Sequence, residues 1–169
     1  MQVRHATSAD LPATRSAYAH GRDLQRATGS PLWPDFTDAA ILAEIDSGAL
    51  HLVADDDALV GVFSAVYEDA PLWGELERGA HIYLHRIARA PSYTGRGLVD
   101  AVIAWALECA ETLGSEGLRM DTWASNSALI AYYEKRGFTL LGTKRIPDDS
   151  PLPNYRGIEL ALLERPLAR

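Results

Sequence analysis

Two glycines flank one arginine in a turn whose residue types suit the binding of an anion. They lie in the turn from Tyr93 to Leu98, which reads Tyr-Thr-Gly-Arg-Gly-Leu, and the apolar residues after it recur at helical spacing. Gly95 and Gly97 therefore lie at a helix N-terminus, where unpaired N–H groups and the helix dipole favour an anion such as a phosphate. Glycine lets the backbone approach the anion closely, and Arg96 can add a charge-assisted hydrogen bond. An ordinary loop that enters a helix is the alternative interpretation.

A second segment, Asn126 to Phe138, combines the signals of a short helix with a pair of tyrosines. Asn126 is suited to an N-cap and Gly137 to the position just after the last helical turn. Plain core packing would account for Tyr132 and Tyr133 if this segment stood alone.

Together these pieces form a strand, a glycine turn, a helix, a second strand and the pattern N-x6-Y-x3-G-F. In this order they resemble the GCN5-related N-acetyltransferase (GNAT) family over roughly residues 2 to 165. The resemblance implies an α/β fold with a mixed, mostly antiparallel central sheet of about six to seven strands flanked by about four helices. It also implies a V-shaped splay beside the central strand that holds acetyl-CoA as the co-substrate.

The cofactor residues follow from the family's pattern, in which the turn wraps the pyrophosphate and the central strand pairs with the pantetheine arm. Thr94 stands where the family usually has Arg or Gln, and Val99 where it has a small residue. These departures keep open an alternative, a non-catalytic CoA-binding regulatory module. The residues implied to bind the cofactor are Ile87, Ala88, Arg89, Thr94, Gly95, Arg96, Gly97, Leu98, Val99 and Asn126.

The resemblance also assigns the proton transfers. Tyr83-Leu84-His85 is similar to the His-Leu-His of the arylalkylamine branch, in which the counterpart of His85 accepts a proton. Imidazole titrates near neutrality, so His85 suits the deprotonation of an alkylammonium, and a hydrogen-bonded structural histidine is the alternative. Tyr133 has the position of the phenol that protonates the departing thiolate, and Tyr83 is the third catalytic candidate. Tyr132, about 100° further round the helix, is expected to pack in the core.

The expected reaction is direct transfer to a primary amine of a small molecule or peptide in a ternary complex. A covalent intermediate is not expected, because the single cysteine, Cys109, lies on the apolar stripe of the helix after the turn. Aromatic side chains near carboxylates suit an amine with an apolar body. Trp33, Phe36 and Trp73 are therefore predicted to bind the acceptor.

The elements that must position these residues follow from hydrophobic periodicity. A helix at 8–26 should be capped by Ser8, and a helix ending at 47 by Thr37 or Asp38, while 68–79 is predicted to be a loop. Alternation along the central strand would place its odd-numbered residues on one face. The predicted strands are 2–5, 50–54, 58–67, 81–89, 118–123, 138–145 and 155–163.

Composition restricts the class of protein. The chain has 169 residues, a length at which a single domain over 1–169 is expected. Its net charge of −7 argues against nucleic-acid binding. The absence of a run of 18 apolar residues predicts a cytoplasmic protein without a membrane partner. One cysteine excludes a disulfide framework, and the three aspartates at 55–57 indicate a solvated turn, so no metal is predicted. A homodimer stays open.

Overall fold

Seven strands form one sheet in the computed structural model, which describes residues 1–56, 58–150 and 155–167. The strands are Gln2–His5 (β1), Leu50–Asp55 (β2), Ala58–Val66 (β3), His81–Arg89 (β4), Gly117–Trp123 (β5), Thr139–Arg145 (β6) and Glu159–Pro166 (β7). Their order in the sheet is β1-β2-β3-β4-β5-β7-β6. The β1–β2, β2–β3, β5–β7 and β6–β7 pairs are antiparallel, and β4–β5 is parallel.

Helices account for most of the remaining regular structure. The α-helices are Leu11–Ala27 (α1), Asp38–Asp46 (α2), Ala70–Trp73 (α3), Leu98–Leu113 (α4) and Ser127–Glu134 (α5). The predicted α/β class with a mostly antiparallel sheet is confirmed. The segment 68–79 was wrongly predicted to be a loop, because it contains α3 and the short 3-10 helix Gly74–Leu76. Among the described residues, no helix is both long and apolar enough to cross a membrane.

The chain groups into two compact units. Unit 1 consists of Met1–Ala65 and His85–Trp105, and unit 2 of Val66–Leu84 and Ala106–Arg169. The elements β3, β4 and α4 each contribute residues to both units. The single domain expected from the chain length stays a prediction.

The core of unit 1 lies where α1 and α2 cover β2 and β3. Tyr18 and Ile41, from the two helices, are at most 2% exposed and pack with Leu50 and Leu52 of β2. Because side chains alternate along a strand, His51 points to the opposite face of β2. There its ring stacks on Phe63, with 5.1 Å between centroids, and lies 4.6 Å from the ring of Trp105 in α4.

The first helix of unit 1 starts differently from the prediction. Ser8 was wrongly predicted to be its cap, because Thr7 is the capping residue of the 3-10 turn Ser8–Asp10 that leads into α1. The N–H and Oγ1 of Thr7 both donate to Asp10 Oδ2, at 2.8 and 2.9 Å. Asp10 also accepts two hydrogen bonds from Arg4, which hold the pKa of its carboxyl below the usual range. For α2 the prediction was right, since Thr37 Oγ1 accepts from Ala40 N–H.

Unit 2 is built on the parallel pairing of β4 with β5. Residues His81–Leu84 lie opposite Gly117–Met120, and β5 pairs along its whole length with β7. The last strand was predicted to start at Tyr155, but it starts at Glu159. The reason is a turn in which Ile158 N–H donates to the Tyr155 carbonyl and Gly157 has a φ of 71°.

Candidate functional site

The predicted site residues divide between the two units. Unit 1 holds the second half of β4, the glycine turn and the aromatic residues Trp33 and Phe36. Unit 2 holds Trp73, Tyr83, Asn126 and Tyr133.

In unit 1 the glycine turn is ordered by its own contacts. Tyr93 Oη donates to the Arg96 carbonyl at 3.1 Å, and its ring lies so close to Gly95 that a Cβ there would be 2.4 Å from the phenol oxygen. Gly97 has a φ of 98°, and its carbonyl accepts from Ala101 N–H as α4 begins. The positive φ therefore favours glycine at position 97, whereas a side chain at position 95 would displace the Tyr93 ring. The turn ends at the N-terminus of a 16-residue helix, as an anion site needs.

The residues around these glycines have different surroundings. Thr94 and Arg96 are exposed, and Val99 is half-buried. Leu98 is buried, with its side chain against Gly61 of β3, where an added Cβ would meet Leu98 Cδ2 at 2.6 Å. Leu98 can therefore serve a cofactor only through its backbone N–H.

The second half of β4 has an irregular backbone. Arg86 has a φ of 49°, a left-handed conformation that is strained for a side chain other than glycine and interrupts the regular pleat. The expected common face for the odd-numbered residues of β4 stays a prediction beyond His85, which is half-buried. Ala88 joins the core beneath α1 and α2, and Arg89 Nη2 lies 3.4 Å from His20 Nε2 on α1.

An aromatic group lies beside this strand in unit 1. Tyr18 packs edge-on against Trp33, with 6.2 Å between ring centroids, and at a tilt against Phe36, with 4.9 Å between centroids. Trp33 and Phe36 are both partly buried. The guanidinium of Arg86 lies 5.2 Å from the Phe36 ring and forms an ion pair with Glu44 of α2. The structure thus brings together Trp33 and Phe36, and it adds an ion pair that sequence reasoning did not find.

In unit 2, α5 has the predicted cap and an unexpected orientation. Asn126 Oδ1 accepts from Leu129 N–H at 3.0 Å, which confirms the N-cap. Tyr133 is only 6% exposed, whereas Tyr132, which was expected in the core, is 36% exposed and lies under the guanidinium of Arg136. Burial raises the pKa of the Tyr133 phenol, so its hydroxyl is protonated at neutral pH.

Trp73 and Tyr83 are also in unit 2, and both are 1% exposed. Their rings meet edge to face with 5.6 Å between centroids. Trp73 was predicted to bind the acceptor from a loop, but it belongs to α3 and is buried. Burial raises the pKa of Tyr83, which disfavours the phenolate that a base would need.

Arg119 of β5 is the functional candidate that the sequence reasoning missed. It is 7% exposed, donates to Tyr83 Oη at 3.2 Å, and its guanidinium carbon lies 4.8 Å from the Trp73 ring. The available signal was an arginine between two apolar residues, Leu118 and Met120, of a predicted strand. A buried charge is costly unless it is paired, so such an arginine indicates a specific partner.

The fold and the turn agree with a comparison to known families. The sequence profile of the Acetyltransferase (GNAT) family matches residues 18–138, which include β4, the glycine turn and α5. The chain therefore belongs to the GNAT acetyltransferase family, and the predicted membership is confirmed. The predicted enzyme class, an N-acetyltransferase with acetyl-CoA as co-substrate, is that of the family.

Individual relatives are more distant. The chain is 27% identical over 131 residues to YesJ of Bacillus subtilis strain 168, an uncharacterized N-acetyltransferase, and the match covers 75% of this chain and 65% of YesJ. A GNAT-family acetyltransferase from Listeria monocytogenes 4b F2365 has a TM-score of 0.78 at 23% identity, covering 98% of this chain and 94% of that chain. The yncA protein of Salmonella typhimurium, solved with its cofactor acetyl-CoA, has a TM-score of 0.67 at 17% identity, covering 100% and 95%. These structures share the fold.

Proposed function

We propose that the chain transfers the acetyl group of acetyl-CoA directly to a primary amine of a small molecule or peptide. The observation that carries the proposal is the glycine turn at the start of α4 in a chain of the GNAT family. Gly97 at φ 98° directs the chain into the helix, and the first backbone N–H groups of α4 have no partner within the helix. In the proposal these groups bind the pyrophosphate of acetyl-CoA, the cofactor with which yncA, a protein of the same fold, was solved.

In the proposed reaction the amine nitrogen attacks the thioester carbonyl carbon and the C–S bond breaks within one ternary complex. His85 accepts the proton of the ammonium group, directly or through one water. As the C–S bond breaks, Tyr133 gives its proton to the sulfur. The nitrogen releases its second proton to solvent, from which Tyr133 regains one. The burial that keeps Tyr133 protonated supports its role as a proton donor. Burial also raises the pKa of the Cys109 thiol, which makes it a poor nucleophile and supports direct transfer without a covalent intermediate.

The acceptor class is proposed from unit 1. Trp33 and Phe36 keep part of their surface accessible beside Tyr18, which supports contact with the apolar body of an amine. Trp73 enters the proposal through its packing on Tyr83 instead of through an exposed face. The cytoplasmic location and the homodimer stay predictions.

The direct experiment measures thiol release from acetyl-CoA with a panel of small primary amines and a short peptide with a free N-terminus. Amine-dependent release with formation of the acetylated product supports the proposal. Thr94 and Val99, which depart from the family's turn, favour a second candidate, a CoA-binding module without catalysis. Tight acetyl-CoA binding without turnover of any amine would identify that module.

A pair of glycine variants tests the cofactor site itself. Gly97→Ala adds a side chain at the start of α4, whereas Gly114→Ala adds one at its other end, at a φ of 65° and with open space around it. Both variants strain the backbone, but only Gly97→Ala should weaken acetyl-CoA binding. A ligand at about 100 times its Kd stabilises a protein by about 2.7 kcal/mol, so a thermal-shift assay resolves the difference. Equal shifts in the two variants would place the cofactor elsewhere.

A further inference from the structure

A buried arginine in unit 2 joins three elements around one predicted catalytic residue. Arg119 of β5 donates from Nε to Glu164 Oε2 of β7 at 2.8 Å. Its Nη1 donates to the Leu76 carbonyl at 2.8 Å and to Tyr83 Oη of β4 at 3.2 Å. Removing a charge from water is expensive, so a buried arginine persists only where its partners have good geometry. Here the carboxylate, the carbonyl and the phenol provide them.

The same guanidinium fixes aromatic rings as well as polar atoms. Its central carbon lies 4.8 Å from the Trp73 ring and 5.9 Å from the Tyr83 ring, both within cation–π range. With the hydrogen bond to Leu76, Arg119 therefore holds the segment of α3 and the 3-10 helix Gly74–Leu76 against the sheet. Arg119 therefore connects that segment to Tyr83, a predicted catalytic residue.

The hydrogen bond determines what Tyr83 can do. A guanidinium has donors only, so the Tyr83 oxygen must accept, and the phenol hydrogen is directed away from Arg119. A phenol held in this way is a hydrogen-bond donor to a further group and is unsuited to take a proton from an ammonium. Tyr83, predicted as a catalytic residue, would then act by donation.

We propose that Arg119 is a positioning residue for acetyl transfer, which orients the Tyr83 hydroxyl as a donor toward the reacting groups. The proposal rests on the proposed acetyltransferase function. Glu164 keeps Arg119 in place, and it also lies 3.4 Å from His81 Nε2, so its carboxylate belongs to one buried network with both. Burial lowers the pKa of His81, which leaves Arg119 as the stable cation of the network at neutral pH.

A double-mutant cycle in kcat tests this dependence. Arg119→Gln should lower kcat on the order of tenfold or more with Tyr83 present, and by less than about twofold in a Tyr83→Phe background. The reason is that Arg119 then has no hydroxyl to orient. The same fold loss in both backgrounds, or a Tyr83→Phe variant as fast as the wild type, would overturn the proposal, because Arg119 would then act on stability alone.

Two controls accompany the cycle. Arg165→Gln removes a half-buried arginine of β7 that donates to the Arg136 carbonyl, and it should leave kcat within about twofold of the wild type. Arg119→Lys retains the charge and serves where Arg119→Gln does not fold, with the same expectation for the cycle. A wild-type chain without any turnover would contradict the proposed function, and the next measurement still tests the contact in that case.

The second measurement follows the Tyr83 phenolate by its absorbance at alkaline pH, as the difference between each protein and its Tyr83→Phe partner. Burial and the carboxylates of Glu77 and Asp69 raise the pKa of Tyr83, whereas the Arg119 cation and its hydrogen bond favour the phenolate. Arg119→Gln should therefore move the Tyr83 titration to higher pH. An unchanged titration would overturn the proposal even where kcat is too low to measure.

Discussion

Tyr83 and Tyr133, the two buried phenols of unit 2, lie in different polar surroundings. Tyr133 shares its burial with Phe138, whose ring lies 5.9 Å away, while Tyr83 accepts a hydrogen bond from a cation. Burial raises the pKa of both phenols, so each is a donor at neutral pH. Neither phenol is suited to accept the amine proton. In the proposed mechanism Tyr133 therefore protonates the leaving sulfur, and His85 accepts the proton of the amine.

Replacing Tyr133 with phenylalanine should separate chemistry from binding. The leaving thiolate loses its proton donor, so kcat should fall by about 10² or more, while the Kd for acetyl-CoA stays near that of the wild type. The matched control is Tyr132→Phe, because Tyr132 is exposed on the same helix. Steady-state kinetics and a binding titration measure the two effects. Equal turnover of wild type and Tyr133→Phe would move the role to another donor.

The role of His85 should be visible in the pH dependence of the rate. If it accepts the amine proton, His85→Gln loses rate mainly near neutral pH, where few amine molecules are unprotonated. Raising the pH supplies free amine without help from the enzyme, so much of the loss should disappear near the pKa of the amine. Measuring kcat/KM from pH 6 to about 10 tests this. A profile parallel to that of the wild type, with full rate at pH 7, would make His85 a structural residue.

The tyrosine pair also shows what sequence can and cannot predict about single residues. The spacing from Asn126 correctly predicted a capped helix with the two tyrosines on different faces. Tyr133, named for its role at the thiolate, is the buried member, and Tyr132 is the exposed one, which reverses the packing expected for Tyr132. The cause is that burial depends on what covers a helix, here Phe138, and not on the helix alone.

At the scale of elements, the bounds predicted for β4 agree with the structure. The irregular backbone within this strand was not predicted. Hydrophobic alternation predicts the first and last residues of a strand, because it reflects which side chains are buried on each face of the sheet. It does not report φ, and nothing in an arginine indicates a left-handed backbone at 49°. The partners that accompany this strained conformation, Glu44 and Phe36, lie more than forty residues earlier in the chain.

The cap of α5 provides a test at this scale, because two substitutions of Asn126 separate its two roles. Asn126→Asp keeps an oxygen for Leu129 N–H, whereas Asn126→Ala removes it and should lower the free energy of unfolding by about 1 kcal/mol. Both remove the amide donor, so both should weaken acetyl-CoA binding if Asn126 contacts pantetheine. Urea denaturation and a binding titration measure the effects. Wild-type affinity in Asn126→Asp would leave Asn126 a cap and nothing more.

For the whole molecule, the order of strands and helices followed from periodicity, and the family followed from the order of two motifs. The last strand was misplaced because Tyr155 and Ile158 look like strand residues, although a turn with Gly157 at positive φ holds them. The buried network around Arg119 was also beyond the sequence. Its members come from β4, β5, β7 and the α3 segment, so only the assembled sheet brings them together.

The stability of the whole chain should depend on pH through His51, a residue without a role in the proposed reaction. His51 is 2% exposed between Phe63 and Trp105, and burial lowers its pKa to about 4, with the nearby His5 adding to the effect. The unfolded chain, with a pKa near 6.5, therefore binds one proton more than the folded chain between about pH 4 and 6.5. Stability from this residue is complete above pH 6.5 and falls as the pH drops toward 4.

We expect the free energy of unfolding to decrease by on the order of 1–3 kcal/mol across this window because of His51. His51→Phe removes the titrating group and keeps an aromatic ring beside Phe63, so its stability should change less between pH 6.5 and 4 than that of the wild type. His5→Phe, at an exposed position, is the matched control and should retain most of the dependence. Urea denaturation at several pH values gives the slopes. Identical slopes for wild type and His51→Phe would assign the acid sensitivity to the carboxylates, of which Asp10 is the first to examine.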